Sequence, residues 1–224
     1  MNGKMRAALA ELIGTFAFFF IGAGSIVTDS YTHGAVGLLG VALAHGLILA
    51  IMVSTFGAVS GGHFNPAVTV GLWVARKVDA MTVVIYIIAQ LIGGALAGFL
   101  LRAIFDPSVW MPVHLGTPAL AAGVNPLTAI ALEAVLTFFL LLAVLGTAVD
   151  SMAPKIGGFG IGLTVAVDIL VGGPVTGAAM NPARVFGPAL AAGFWEYHWV
   201  YWVGPLIGGA LAGWIYPRFI SETV

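Results

Sequence analysis

Asn65-Pro66-Ala67 returns as Asn181-Pro182-Ala183, an offset of 116 residues, and the reading of these two triplets decides the architecture. Proline suits the first position of a helix, and asparagine is favoured immediately before it. Each triplet therefore predicts a helix start. Both lie in apolar, glycine-rich sequence too interrupted for an ordinary membrane span. A helix start inside a bilayer presents free N–H groups and a positive dipole end to whatever lies before it. Two such starts, symmetrically placed, predict a pair of half-helices that meet at a shared midpoint and line something polar within hydrocarbon.

Working outward, the surrounding sequence is that of a polytopic membrane protein. Of 224 residues, 60% are hydrophobic and 8% charged, and the mean hydropathy is +1.07, far from the profile of a soluble domain. A crossing takes roughly 20 apolar residues, which leaves room for about six. Candidate spans lie near 7–28, 35–56, 82–104, 127–149, 156–172 and 198–217. The triplet segments, near 57–76 and 173–192, read as re-entrant dips. The first apolar segment is too long for a cleaved leader and reads as a retained span. A net charge of −1 gives no sign of nucleic-acid binding. Without cysteine, disulfides and thiolate metal sites are excluded.

The chain repeats internally. Leu91-Ile92-Gly93-Gly94-Ala95-Leu96-Ala97-Gly98 recurs unchanged as residues 206–213, and Val59-Ser60-Gly61 parallels Val175-Thr176-Gly177. Glu11 in the first span has a counterpart in Glu133 in the fourth. Each repeat, approximately 1–105 and 125–224, holds three spans and one dip. An odd number of spans inverts the second copy and places the functional site at the repeat interface near midplane. The expected fold is an all-α membrane protein forming one channel domain over 1–224. Cytoplasmic termini put Lys4, Arg6, Arg76, Lys77, Lys155 and Arg218 inside and leave Arg102 and Arg184 outside, in line with the positive-inside bias.

With Gly61-Gly62-His63-Phe64 before the first triplet and Arg184-Val185-Phe186-Gly187-Pro188 after the second, the chain resembles the aquaporin family of major intrinsic proteins over essentially its whole length. The resemblance implies six tilted helices plus two half-helices, one pore per subunit, homotetrameric assembly, a cell-membrane location and no cofactor or metal. It also implies water and small neutral solutes as what passes, and membrane lipid as the surroundings. At the triplets, a side-chain oxygen that caps its half-helix leaves the amide NH₂ of Asn65, and of Asn181, to donate into the pore. Water held by both turns its hydrogens outward, and the two positive helix ends disfavour cations. Asn125-Pro126 has no such partner and reads as capping alone.

The same resemblance places a narrow filter at His45, Ile169, Ala178 and Arg184, each at a set distance from a triplet. This combination is similar to plant tonoplast intrinsic proteins and ammonia-permeable aquaporins, as are Asp168-Ile169-Leu170 and His198-Trp199-Val200-Tyr201-Trp202. It implies a channel for water and neutral ammonia, with hydrogen peroxide a further candidate. A neutral His45 could offer ammonia an acceptor nitrogen, while ammonium would meet the charge of Arg184. His63 is a candidate for the inner vestibule and His114, in the long outer loop, for the filter. Glu11 and Glu133 are expected to accept backbone N–H groups of the re-entrant loops; Asp168, next to Ile169, has no assigned partner. The alternatives are a glycerol facilitator, disfavoured by Val185 and Ala189 where that type carries charged residues, and a proton-coupled transporter using the buried acids. No nucleophile–base set or nucleotide loop suggests an enzyme.

Overall fold

The computed structural model describes residues 3–154 and 156–222; the expected inner charge Lys155 lies outside them. The elements are all helical. Helix α1 spans Gly3–Tyr31, α2 Gly37–Ser60, α3 Pro66–Val74 and α4 Ala80–Ile104. A single turn, α5 (Pro107–Trp110), leads through a 3₁₀ segment, Met111–Gly116, into the outer loop. Then follow α6 (Pro126–Val144) with a π turn (Leu145–Val149), α7 (Gly157–Thr176), α8 (Pro182–Ala192) and α9 (Val200–Ile215) with a second π turn (Tyr216–Ile220). Six helices are long; α3 and α8 are the two half-helices.

Five of the long helices, α1, α2, α4, α6 with its π turn, and α7, are long and apolar enough to cross a membrane. Helix α9 has 16 residues, about 24 Å at 1.5 Å per residue, and its π turn carries it further towards the ~30 Å hydrocarbon layer. Burial is inverted relative to a soluble protein. Leu39, Leu43, Leu47 and Ile51 on α2, and Ile88, Ile92, Leu96 and Phe99 on α4, face outward, whereas Glu11, Gln90, Glu133, Thr176 and Arg184 are buried. Apolar side chains outside and ionisable ones inside are what lipid surroundings require.

The chain leaves its long helices later than the sequence predicts. α2 runs to Ser60 and α7 to Thr176, where dips were expected from 57 and 173. Pro174 therefore sits inside α7. Near a helix end its missing N–H forfeits a single bond, which the packed surroundings tolerate. Both helices then stop at a glycine in left-handed conformation, Gly61 (φ 88°) and Gly177 (φ 82°), the residue that can adopt it without strain.

The repeated Leu-Ile-Gly-Gly-Ala-Leu-Ala-Gly stretch does more than let neighbours pack. In α4, Gly94 and Gly98 lie against α8, where a Cβ on Gly187 would meet the Gly94 carbonyl oxygen at 2.2 Å. In α9, Gly209 and Gly213 lie against α3, where a Cβ on Gly213 would meet the Gly71 oxygen at 2.1 Å. Each repeat thus holds the half-helix of the other, backbone against backbone. Gly187→Ala should destabilise the fold by about 1–3 kcal/mol through overpacking, read as a lower melting temperature in detergent. Gly57→Ala, where an added Cβ meets nothing within 4 Å, should leave it unchanged.

Candidate functional site

Asn65 and Asn181 occupy N-cap positions with extended backbone (φ −157° and −156°), and Pro66 and Pro182 begin the half-helices. The Asn65 side-chain oxygen accepts the Ala67 N–H at 2.8 Å; that of Asn181 accepts Ala183 and Arg184 N–H at 3.0 and 3.3 Å. Because only the oxygen can accept, the orientation of both amides is fixed. The Asn65 Nδ2 then donates to the Met180 carbonyl at 2.8 Å, and the Asn181 Nδ2 to the Phe64 carbonyl at 2.9 Å. This corrects the expectation of a wholly free NH₂. One hydrogen of each amide ties its own half-helix to the opposite loop, and one remains for a solute. Asn125, by contrast, caps α6 alone.

The loops behind the triplets are held from the outside. Glu11 accepts Ser60 Oγ, His63 N–H, Phe64 N–H and Gln90 Nε2 at 2.7–2.9 Å. Glu133 accepts Thr176 Oγ1, Ala179 N–H and Met180 N–H over the same distances. Tyr86 donates to the Ser60 carbonyl and Tyr201 to that of Thr176, both at 2.8 Å. Across a trans peptide, N–H and C=O point opposite ways. With the N–H groups of His63, Phe64, Ala179 and Met180 aimed at carboxylates, the carbonyls of Gly62, His63, Ala178 and Ala179 face away from them. Those four residues line the central cavity, which so gains acceptors from both loops.

That cavity runs between Phe18, Leu49, Val68, Leu140, Val165 and Ile169, with both asparagines in its wall. His63 and Val144 are shared with a wide inner vestibule, and His45, Ile169 and Arg184 with an outer one bordered by Asp29 and Pro174. The inner vestibule, the cavity and the outer vestibule adjoin in that order through these shared residues. The four residues expected in the filter come together: His45, Ile169, Ala178 and Arg184 all line the cavity, three of them at its outer end. His63 stands at its inner end, its Nδ1 3.0 Å from Thr69 Oγ1. That hydroxyl donates to the Asn65 carbonyl, so the imidazole Nδ1 must carry the hydrogen.

Arg184 is nearly fully buried. Its Nε donates to His45 Nε2 at 3.2 Å and its Nη1 to the Gly116 carbonyl at 2.8 Å. His45 Nδ1 lies 2.8 Å from the Val41 carbonyl, which fixes a neutral ring with its proton on Nδ1. Both ring nitrogens are engaged, so the expected free acceptor for a solute is not there; His45 positions the arginine instead. Gly22 on α1 leaves room for the ring, since a Cβ there would lie 2.5 Å from it. Among the described residues the ion pair is Lys4–Asp79, remote from the filter. Its hydrogen bonds go to neutral groups, with no carboxylate among the described residues in contact, which leaves three of its five N–H donors for a passing solute.

His114 is elsewhere. Its ring stacks on Phe194 at 3.8 Å and 3° and belongs to the lining of none of the three spaces. The outer loop contributes the Gly116 carbonyl instead, delivered by left-handed turns at His114, Leu115 and Gly116, and no residue type announces a backbone acceptor. Gln90, Tyr86 and Tyr201 were also missed, although the two tyrosines stand at matching repeat positions. Asp168 is buried, with Oδ2 lacking a hydrogen-bond partner, and it borders none of the three spaces.

Residues 2–216 match the family model described as Major intrinsic protein. Among curated relatives, Aquaporin TIP4-4 of Zea mays is 51% identical over 96% of this chain and 86% of its own. Aquaporin TIP2-1 of Arabidopsis thaliana is 44% identical over 95% and 86%. The X-ray structure of the aquaglyceroporin from Plasmodium falciparum superposes with a TM-score of 0.87, covering 98% of each chain at 24% identity; that likeness concerns the fold. The loop supports set a stability test. Glu133→Leu strands two buried N–H groups and a hydroxyl at about 1–3 kcal/mol each and should abolish a cooperative melt in detergent. Glu133→Gln, which keeps one acceptor oxygen, should melt below the parent but still cooperatively.

Proposed function

The chain belongs to the major intrinsic protein family, and from that membership and its pore geometry we propose that it is a passive channel for water which also passes neutral ammonia, with hydrogen peroxide a further candidate, while excluding protons and ions. The observation that carries the reading is the pairing of donors and acceptors along an otherwise apolar cavity. A water at the midpoint accepts from the remaining N–H of Asn65 and of Asn181, and its hydrogens turn towards the loop carbonyls on either side. A file of waters so oriented cannot relay a proton through that point without reorienting. The N-termini of α3 and α8 and the positive charge of Arg184 raise the energy of any cation. Binding is weak and distributed, as conduction requires. No saturable site or proton coupling enters this reading, and the buried carboxylates Glu11 and Glu133 serve as loop supports.

Ammonia is about the size of water and offers a lone pair to Arg184 and hydrogens to the carbonyls of Gly62, His63, Ala178 and Ala179. Its passage rests on these groups and on the small apolar wall of Ile169 and Ala178, not on a histidine lone pair. Val185 and Ala189 keep charged groups away from the filter flank, which separates this chain from the glycerol-type pattern. Homotetrameric assembly and termini on the cytoplasmic side belong to the same proposal. The TIP designation of the relatives lends no support to the cell-membrane placement expected from the sequence, and the claim is integral membrane position alone.

Stopped-flow measurements on proteoliposomes test the solute assignment. Water and ammonia fluxes should exceed those of empty vesicles, unaffected by collapsing a pH gradient, with glycerol at background. His45→Phe should release the Nε of Arg184, narrow the filter and lower ammonia flux more than water flux. Ammonia flux equal to that of empty vesicles would remove the ammonia assignment, and glycerol reswelling at water-like rates would replace it.

A further inference from the structure

Outside the channel, a basic recess opens on the face that carries the Lys4–Asp79 ion pair and the inner vestibule. Val74, Ala75, Arg76, Lys77, Pro217 and Arg218 line this open space of about 360 Å³. Three cations from two distant segments converge there, and among the described residues no acidic side chain lines it and the ion pair involves none of the three.

Arg76 is placed by its backbone and Arg218 by its side chain. Arg76 lies just beyond the C-terminus of α3, where its N–H bonds the Trp73 carbonyl at 2.9 Å and that of Lys77 bonds Leu72 at 2.8 Å. This paired closure puts Arg76 in the left-handed region, φ 62°, a position that glycine favours. Arg218 donates from Nη1 to the Trp214 carbonyl at 3.0 Å, with its guanidinium 5.4 Å from the Trp214 ring centroid. Trp214 and Trp73 are each about half exposed. Exposed indoles at helix ends mark the depth at which lipid headgroups lie. Lys77 lines the inner vestibule as well as the recess.

We propose that this recess binds the phosphate of an anionic lipid headgroup beside the inner mouth of the channel, with Arg76, Lys77 and Arg218 as its cationic ligands. Basic recesses between membrane helices, with donors aimed into the headgroup layer, have the chemistry for such a group. Free phosphate shares that chemistry. The lipid is favoured because the lining residues Val74 and Arg218 adjoin half-exposed tryptophans, Trp73 in sequence and Trp214 in contact, which places the recess at headgroup depth. The site is independent of which solutes the channel passes.

Native mass spectrometry of the full chain in detergent tests it, with dioleoyl phosphatidic acid, dioleoyl phosphatidylglycerol, dioleoyl phosphatidylcholine and inorganic phosphate as separate arms. The two anionic lipids should bind at least about tenfold more tightly than the zwitterionic one, from roughly fivefold per cation near the surface. The Arg76→Gln/Lys77→Gln/Arg218→Gln variant should fall to the zwitterionic level, while Lys4→Gln on the same face should not. Arg76→Gly keeps the result readable if the triple variant folds poorly. It relieves the left-handed strain, should melt no lower than the parent, and should still weaken anionic-lipid binding about fivefold. Equal binding of all three lipids, or anionic-lipid binding unchanged in both variants, overturns the proposal. Binding of inorganic phosphate that the variants abolish, with no preference among lipids, assigns the recess to free phosphate and overturns the lipid assignment.

Discussion

Two hydrogen bonds between the repeats, Asn65 Nδ2 to the Met180 carbonyl and Asn181 Nδ2 to that of Phe64, are the constraint on which the rest of the molecule depends. Each asparagine caps its own half-helix with its oxygen and clasps the opposite loop with its nitrogen. The two helix tips are thereby set face to face, and one hydrogen per amide points where a solute must pass. Neither repeat could complete this arrangement alone. The glycine contacts of α4 with α8, and of α9 with α3, make the same exchange at the level of whole helices.

The clasp works only if the loop carbonyls point inward, and that orientation strains the backbone. Gly62 (φ 66°) and Phe64 (φ 48°) in the first loop match Ala178 (φ 44°) and Met180 (φ 52°) in the second. Left-handed conformations at non-glycine residues cost of order 1–3 kcal/mol each. Charge-assisted bonds to Glu11 and Glu133 offset this, at about 1.5–3 kcal/mol apiece. Burying two carboxylates in a membrane protein is therefore explained by the strained loops they hold and needs no proton pathway. The same economy governs the filter. His45 and the Gly116 carbonyl fix Arg184 through neutral contacts, with no carboxylate among the described residues bonded to its guanidinium.

Much of this was legible in the sequence because it is written in side chains at repeat spacing. The triplets, the two glutamates and the glycine stripes are all of that kind, and α6 begins at Asn125-Pro126 as its capping pair predicts; the four residues His45, Ile169, Ala178 and Arg184 were placed together by the family resemblance alone. What escaped was carried by the backbone or by geometry between distant segments. No residue type signals that Gly116 will offer its carbonyl, or that Phe64 and Met180 will offer theirs to the asparagines. His114 looked like a filter residue by its type and its loop, but a stacking contact with Phe194 took its ring elsewhere. The His45 lone pair looked available until the position of the Arg184 Nε was known. The fifth span was expected to give way to a dip at 173, but α7 runs past Pro174 to Thr176.

A high-resolution electron-density or cryo-EM map of the hydrated channel tests the central claim most directly. It should show an ordered water oxygen within about 3 Å of both asparagine Nδ2 atoms, each amide also bonded to the opposite loop, within an unbroken file of waters from one vestibule to the other. Asparagine amides turned away from the opposite carbonyls, or a dry break in the file between the two helix tips, would contradict it.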